Sequence, residues 1–184
     1  MSLRLTFWGT RGSIPSPGPH TVRYGGNTPC VEVRTGDGHL LILDAGTGIR
    51  ALGRSLVEQA EGASIEADLF LTHAHWDHIQ GIPFFAPLYS PANQVTFHSS
   101  KAPEDMREIL EGQMSNPYFP VRFDLLAARR EFVQITGHPL KDNRLSVHAF
   151  PLNHPQGATG FRLEFDGAVV VHACDHEHGI PEID

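Results

Sequence analysis

Six consecutive residues, His73-Ala74-His75-Trp76-Asp77-His78, carry four side chains of the kinds that ligate metals and move protons. The apolar run ADLFLT (67–72) leads straight into them and predicts a buried strand, so the polar cluster stands at a strand end. Side chains two apart in an extended chain point the same way, which lets His73 and His75 reach one ion. Asp77 and His78 fall just past the bend and face a second ion beside the first. Their carboxylate brings negative charge and a hard oxygen, while imidazole suits zinc, iron or manganese. The chain holds 12 histidines in 184 residues, roughly three times an ordinary share. Imidazole is the commonest metal ligand and titrates near neutrality, so the excess points to a site.

The elements that must position these groups read mainly as strands. LRLTFWG (3–9) alternates like a half-buried strand and stops at the Gly/Pro-rich loop 9–19. CVEVRT (30–35) and HLLILDA (39–45) flank Gly36-Asp37-Gly38 and predict a hairpin. Ile49, Leu52, Leu56 and Val57 repeat at helical spacing within 46–60. After the strand at 67–72 and another at QVTFHS (94–99), Pro103 with Glu104 and Asp105 opens a helix over 103–114. Residues 115–130 predict an irregular segment and then a short helix. EFVQI (131–135), RLSVHAF (144–150), TGFRLEF (159–165) and AVVVHA (168–173) are expected as successive strands of one antiparallel sheet.

Further polar residues stand at predicted strand ends: Asp44 closing LILDAG, His154 in PLNHPQG and Asp175 in VVVHACDHEH. With the 73–78 cluster, this pattern resembles the metallo-β-lactamase superfamily of hydrolases. The intervals of 76 residues from His78 to His154 and 21 from His154 to Asp175 suit the likeness, which covers nearly the whole chain. It implies an α/β fold, an αβ/βα sandwich of two mixed sheets flanked by helices, as one domain over 1–184. It also implies two divalent ions, zinc first with manganese or iron as alternatives. His73, His75 and His154 would hold one and Asp77 and His78 the other, with Asp175 between them and Asp44 behind the metal loop. Two such ions lower the pKa of a bridging water towards about 7, and that water is the nucleophile the likeness implies.

The superfamily carries a further histidine well downstream of the bridging aspartate, whereas this chain ends nine residues after Asp175. The expectation is therefore a domain cut short at its C-terminus, without its last strands, helix and metal ligand. His172, His176 and His178 are the substitutes within reach.

Gly9, Thr10, Gly12, Ser13 and Pro15, followed by Tyr24-Gly25-Gly26-Asn27-Thr28, look like the opening of the phosphodiesterase branch, which includes tRNase Z and the phosphoribosyl cyclic phosphate phosphodiesterases. Such a turn exposes backbone N–H groups that can cradle an anion, so Arg11, Gly12 and Ser13 are candidate phosphate contacts. The implied reaction is attack by metal-bound hydroxide on a small cyclic phosphodiester or nucleotide, with His176 or His178 protonating the leaving oxygen. Trp76 and Phe84-Phe85 are expected in core packing, with a place in the pocket wall as the alternative, and His98 and His148 in packing or surface roles.

With 14 basic residues against 21 acidic, a net charge of −7, a general basic coat for nucleic acid is absent, which makes RNA a weaker expectation than a small phosphodiester. No apolar run suggests a membrane partner, and two cysteines, Cys30 and Cys174, suggest a reduced, cytoplasmic setting. A face left bare by missing C-terminal elements would favour a homo-oligomer. The alternatives from other classes are a metal- or ligand-binding module without turnover, and a thioester or lactam hydrolase on the same fold.

Overall fold

The computed structural model describes residues 3–136, 139–142 and 144–179. In chain order it contains β1 (Arg4–Gly9), β2 (Cys30–Arg34), β3 (Leu40–Leu43), α1 (Gly48–Ala60), β4 (Glu66–Phe70), α2 (Trp76–Ile79), β5 (Gln94–Ser99), α3 (Pro103–Gln113), β6 (Arg129–Gln134), β7 (Leu140–Asp142), β8 (Leu145–Leu152), β9 (Ala158–Phe165) and β10 (Ala168–His172). Strands β1 to β6 form one sheet in sequence order, antiparallel from β1 to β3 and parallel from β3 to β6. The second sheet runs β10-β9-β8-β7, all antiparallel.

Apolar residues on the two faces of the first sheet explain the layering. On one face Cys30, Leu40, Ile42 and Leu69 meet Ile49, Leu52 and Leu56 of α1 and Met106 and Leu110 of α3. On the other, Val31, Val33, Leu41, Leu43 and Phe70 meet Leu145, Val147, Phe161, Leu163 and Phe165 of the second sheet. A strand covered on both sides reads as an unbroken apolar run, which is why LLIL of β3 is buried throughout. Of the α1 stripe, Val57 stands outside the core at 46% exposure.

Three sequence-based expectations differ from the structure. EFVQI does not join the antiparallel sheet: β6 pairs parallel with β5 and closes the first sheet. Its side chains specify a strand, while its neighbour follows from α3, which returns the chain alongside β5 in a crossover. LRLTFWG is an edge strand with Leu5 and Phe7 open to solvent. The short helix near 130 is a single 3₁₀ turn, Phe123–Leu125, anchored by buried Phe123.

The site lies where β3, β4, β8 and β10 end. Two backbone segments touch there. Ala45 N donates to His78 O (2.7 Å) and Gly81 N to Ala45 O (2.9 Å), stitching the 73–81 segment to the end of β3. The approach requires glycine: a Cβ on Gly81 would lie 2.1 Å from Gly46 O, and one on Gly46 would lie 2.2 Å from Asp77 O.

Candidate metal centre

β4 leads into His73 and His75, and His75, in extended backbone, serves as the N-terminal boundary residue of α2, whose single turn carries Asp77 and His78. His154 follows β8 and Asp175 follows β10, so the second sheet carries two of its residues across to the first. The donor atoms of His73, His75 and His154 all lie within 4.8 Å of one another. His154 Nε2 is 3.1 Å from His75 Nδ1. A second group, His73, His78 and Asp175, meets the same spacing. Asp175 Oδ2 lies 3.3 Å from His78 Nε2, 3.7 Å from His154 Nε2 and 3.8 Å from His73 Nε2. Asp77 Oδ2 is 3.5 Å from His78 Nε2. Thus all six residues expected as ligands come together, with Asp175 between the two sets.

The chemistry of the donors fits divalent cations. Nε2 of His73 and of His78 are buried without a hydrogen-bond partner. A buried polar atom left unpaired is costly, and metal ions would satisfy two such atoms that face one carboxylate-lined space.

A supporting shell fixes the orientation of these rings. Asp44, fully buried, lies 2.9 Å from His78 Nδ1 and accepts from Thr72 N and Thr72 Oγ1, both at 2.9 Å. It therefore sits behind the metal loop, where it also forms with His172 and Cys174 a third group of donor atoms within 4.8 Å of one another. Glu177 Oε1 lies 3.1 Å from His154 Nδ1, and Gln156 Oε1 lies 3.3 Å from His75 Nε2. Ser13 N donates to Asp77 Oδ2 at 2.7 Å. Among the described residues, four of the six non-glycine residues with positive φ, namely Ser13, Asp44, Gln156 and Asp175, belong to this shell or to the centre. Left-handed backbone at such residues stores strain and gathers at functional sites.

The electrostatics are strongly coupled. Burial works against a charge on His78, yet the Asp175 and Asp44 carboxylates outweigh it and push its pKa up to about 10. Burial and the neighbouring charge of His78 push His73 down to about 4. Burial alone would raise Asp44, but hydrogen bonds from His172 and His78 hold it well below the usual carboxylate range. The neighbouring His78 ring likewise holds Asp175 low, against its partial burial. The Cys174 thiol is raised by burial and by its bond to Asp175. Both cysteines are free thiols.

In the 9–19 loop Thr10 N and Arg11 N donate to Asn27 O, Ile14 N to Gly12 O, and Ser13 N to Asp77. These bonds fold the loop and tie Ser13, one of the expected phosphate contacts, to the candidate ligand Asp77. His176 Nδ1 faces Asn153 N at 3.2 Å and its ring packs edge-on against His178. The side chains that touch His154 and Asp175 from this segment are Glu177 and Cys174. Trp76 and Phe84 are 70% and 54% exposed, outside the core that takes Phe85. His98 is buried and paired with Asp68 at 2.8 Å.

Thr72, Gln156, His172 and Glu177 escaped the sequence reading as supporting residues. The available signal was chemical: a ligand histidine needs an acceptor for its second nitrogen, and Glu177 stands two residues from Asp175.

The model of the beta-lactamase superfamily domain matches residues 39–184. The chain belongs to that superfamily. Among curated relatives, the Ribonuclease Z of Haloarcula marismortui is 27% identical over 189 residues, which is 98% of this chain and 54% of that protein. This superfamily chain spans about half the length of the curated relatives it matches. Among solved structures, the metallo-beta-lactamase fold protein YhfI from Bacillus subtilis has a TM-score of 0.64 at 16% identity, covering 92% of this chain and 60% of that one. The short form of human tRNase Z has a TM-score of 0.58 at 18% identity, covering 95% and 71%. These likenesses place the two-sheet, helix-flanked α/β architecture in the metallo-beta-lactamase fold. Among the described residues, no helix is long and apolar enough to cross a membrane.

Proposed function

We propose that this domain is a metal-dependent phosphodiesterase. His73 Nε2, His75 Nδ1 and His154 Nε2 would hold one divalent ion, zinc in the first instance, and Asp77 Oδ2 and His78 Nε2 a second. Asp175 Oδ2 would serve both, and its position between the two donor sets is the observation that carries the reading. Such a pair of ions supplies Lewis acidity, ionising water near neutral pH and neutralising phosphoryl oxygens. The chain's own residues position this chemistry. Asp44 and Thr72 lock the rotation of His78, Glu177 that of His154 and Gln156 that of His75, while Ser13 N holds Asp77.

The substrate class we favour is a small, cyclic or nucleotide phosphodiester, in keeping with the acidic chain. An RNA phosphodiester is the second reading, favoured by relatives bearing the name Ribonuclease Z. The test is metal analysis of the purified protein joined to hydrolysis of bis(p-nitrophenyl) phosphate, a cyclic nucleotide, a short RNA, a thioester and a β-lactam. Two metal equivalents with turnover of a phosphodiester support the reading. Turnover confined to thioesters or lactams overturns it.

A further inference from the structure

Beside His73 and His75 lies a cavity of about 530 Å³, bounded by the ends of β5 and β6, the start of α3 and the β8–β9 connection. A cavity of this size holds a molecule larger than a phosphate group. Its walls are apolar, built by Met106, Ile109, Ile135 and Phe150, and Gly160 lets the Phe150 ring lie flat where a Cβ would approach it to 2.4 Å. Ser100 and Thr136 add hydroxyls; Ser100 Oγ accepts from Thr159 Oγ1 at 3.0 Å, leaving its own O–H free to donate. In a chain of net charge −7, no carboxylate lines this space among the described residues, and Lys101 is its one lysine or arginine. Apolar walls with a few hydroxyls suit a ring with polar edges better than an alkyl chain, and an exposed ammonium at the wall suits a further anion.

Resting on the phosphodiesterase reading, we propose that this cavity is the specificity subsite for a nucleotide: it takes the heteroaromatic base when the phosphate lies at the metal centre. Lys101 attracts a second phosphate on the same ligand. The metal centre recognises any phosphoester, so the cavity beside it selects which one binds.

The test is calorimetric titration of the zinc-supplemented protein with ribose 5-phosphate, AMP, adenosine 3′,5′-bisphosphate and octyl phosphate. AMP should bind at least about tenfold more tightly than ribose 5-phosphate, since filling an apolar pocket commonly yields ten- to 200-fold discrimination. Ile109→Trp, which fills the cavity, should erase that difference. Lys101→Met, at an exposed position, should remove a preference of about two- to fivefold for the bisphosphate over AMP, the range of an exposed ion pair. That ratio stays informative even if Ile109→Trp does not fold. Equal binding of AMP and ribose 5-phosphate overturns the proposal, as do tighter binding of octyl phosphate than of AMP and a bisphosphate preference unchanged in Lys101→Met. Hydrolysis of bis(p-nitrophenyl) phosphate separates the two claims. Turnover without base discrimination sinks the subsite alone, and base discrimination in a protein that hydrolyses no phosphodiester sinks the reaction alone.

Discussion

Replacing Asp44 tests the supporting shell most sharply, because it holds the metal loop without facing the open centre. Its carboxylate is fully buried and serves Thr72 N, Thr72 Oγ1 and His78 Nδ1 within 2.9 Å, with His172 Nε2 at 3.4 Å. Asp44→Ala would strand two buried donors of Thr72 and take from the buried His78 ring the carboxylate at its Nδ1. Removing one partner from such a pair costs about 3–5 kcal/mol, a large share of a typical total of about 5–15 kcal/mol. Asp44→Asn separates folding from function. Its amide oxygen can still accept from Thr72 N, but its amide NH₂ then opposes the His78 Nδ1 proton, and the ring loses the acceptor that sets its orientation. Loss of such an outer contact typically lowers metal affinity by about 10–100-fold. We expect the Asp44→Asn protein to melt cooperatively, to keep the ion at His73, His75 and His154, and to release the other to a competing chelator at least tenfold more readily. Competition with a fluorescent zinc chelator, read beside far-ultraviolet circular dichroism, measures both. A folded Asp44→Asn protein with wild-type affinity for both equivalents would refute the reasoning.

Asp77→Ala and His75→Ala should each abolish phosphodiester hydrolysis with little change in circular dichroism, and wild-type turnover in either contradicts the ligand assignment. Glu177→Gln should lower zinc affinity by about tenfold or more, since the charged acceptor at His154 Nδ1 becomes a neutral amide; titration by chelator competition checks it. Gly81→Ala should lower the melting temperature: its Cβ has only 2.1 Å to Gly46 O, and overpacking of this kind costs about 1–3 kcal/mol, or roughly 2–4 °C for each kcal/mol. Treatment with a strong chelator should stop hydrolysis, and added zinc should restore it; activity that survives metal depletion opposes the account.

Much of the centre was legible in the sequence because its chemistry is local. His73, His75, Asp77 and His78 need only a strand, a bend and one helical turn to converge, and those follow from ADLFLT and the residues after it. His154 and Asp175 were legible as polar residues at strand ends, although their meeting depends on how the second sheet stacks on the first. The remaining features depend on tertiary placement. EFVQI has the pattern of a strand in either sheet, and the choice of β5 as its partner is made by the path through α3. The Gly-rich loop reads equally as an anion cradle or as a folded support, and the acceptors that fold it, Asn27 O and Asp77 Oδ2, lie 16 and 64 residues from Arg11 and Ser13. His176 and Glu177 are chain neighbours, and only the backbone course after the left-handed Asp175 determines which of them meets His154. His138 lies outside the described residues.

The central claim is that residues from both sheets converge to hold two divalent ions that share Asp175. Anomalous diffraction from zinc-soaked crystals, recorded on both sides of the zinc absorption edge, tests it most directly. The account predicts one peak bounded by His73, His75 and His154 and a second beside Asp77 and His78, each within coordination distance of Asp175. Zinc bound at Asp44, His172 and Cys174 instead, or His154 and Asp175 lying away from any peak, would contradict it.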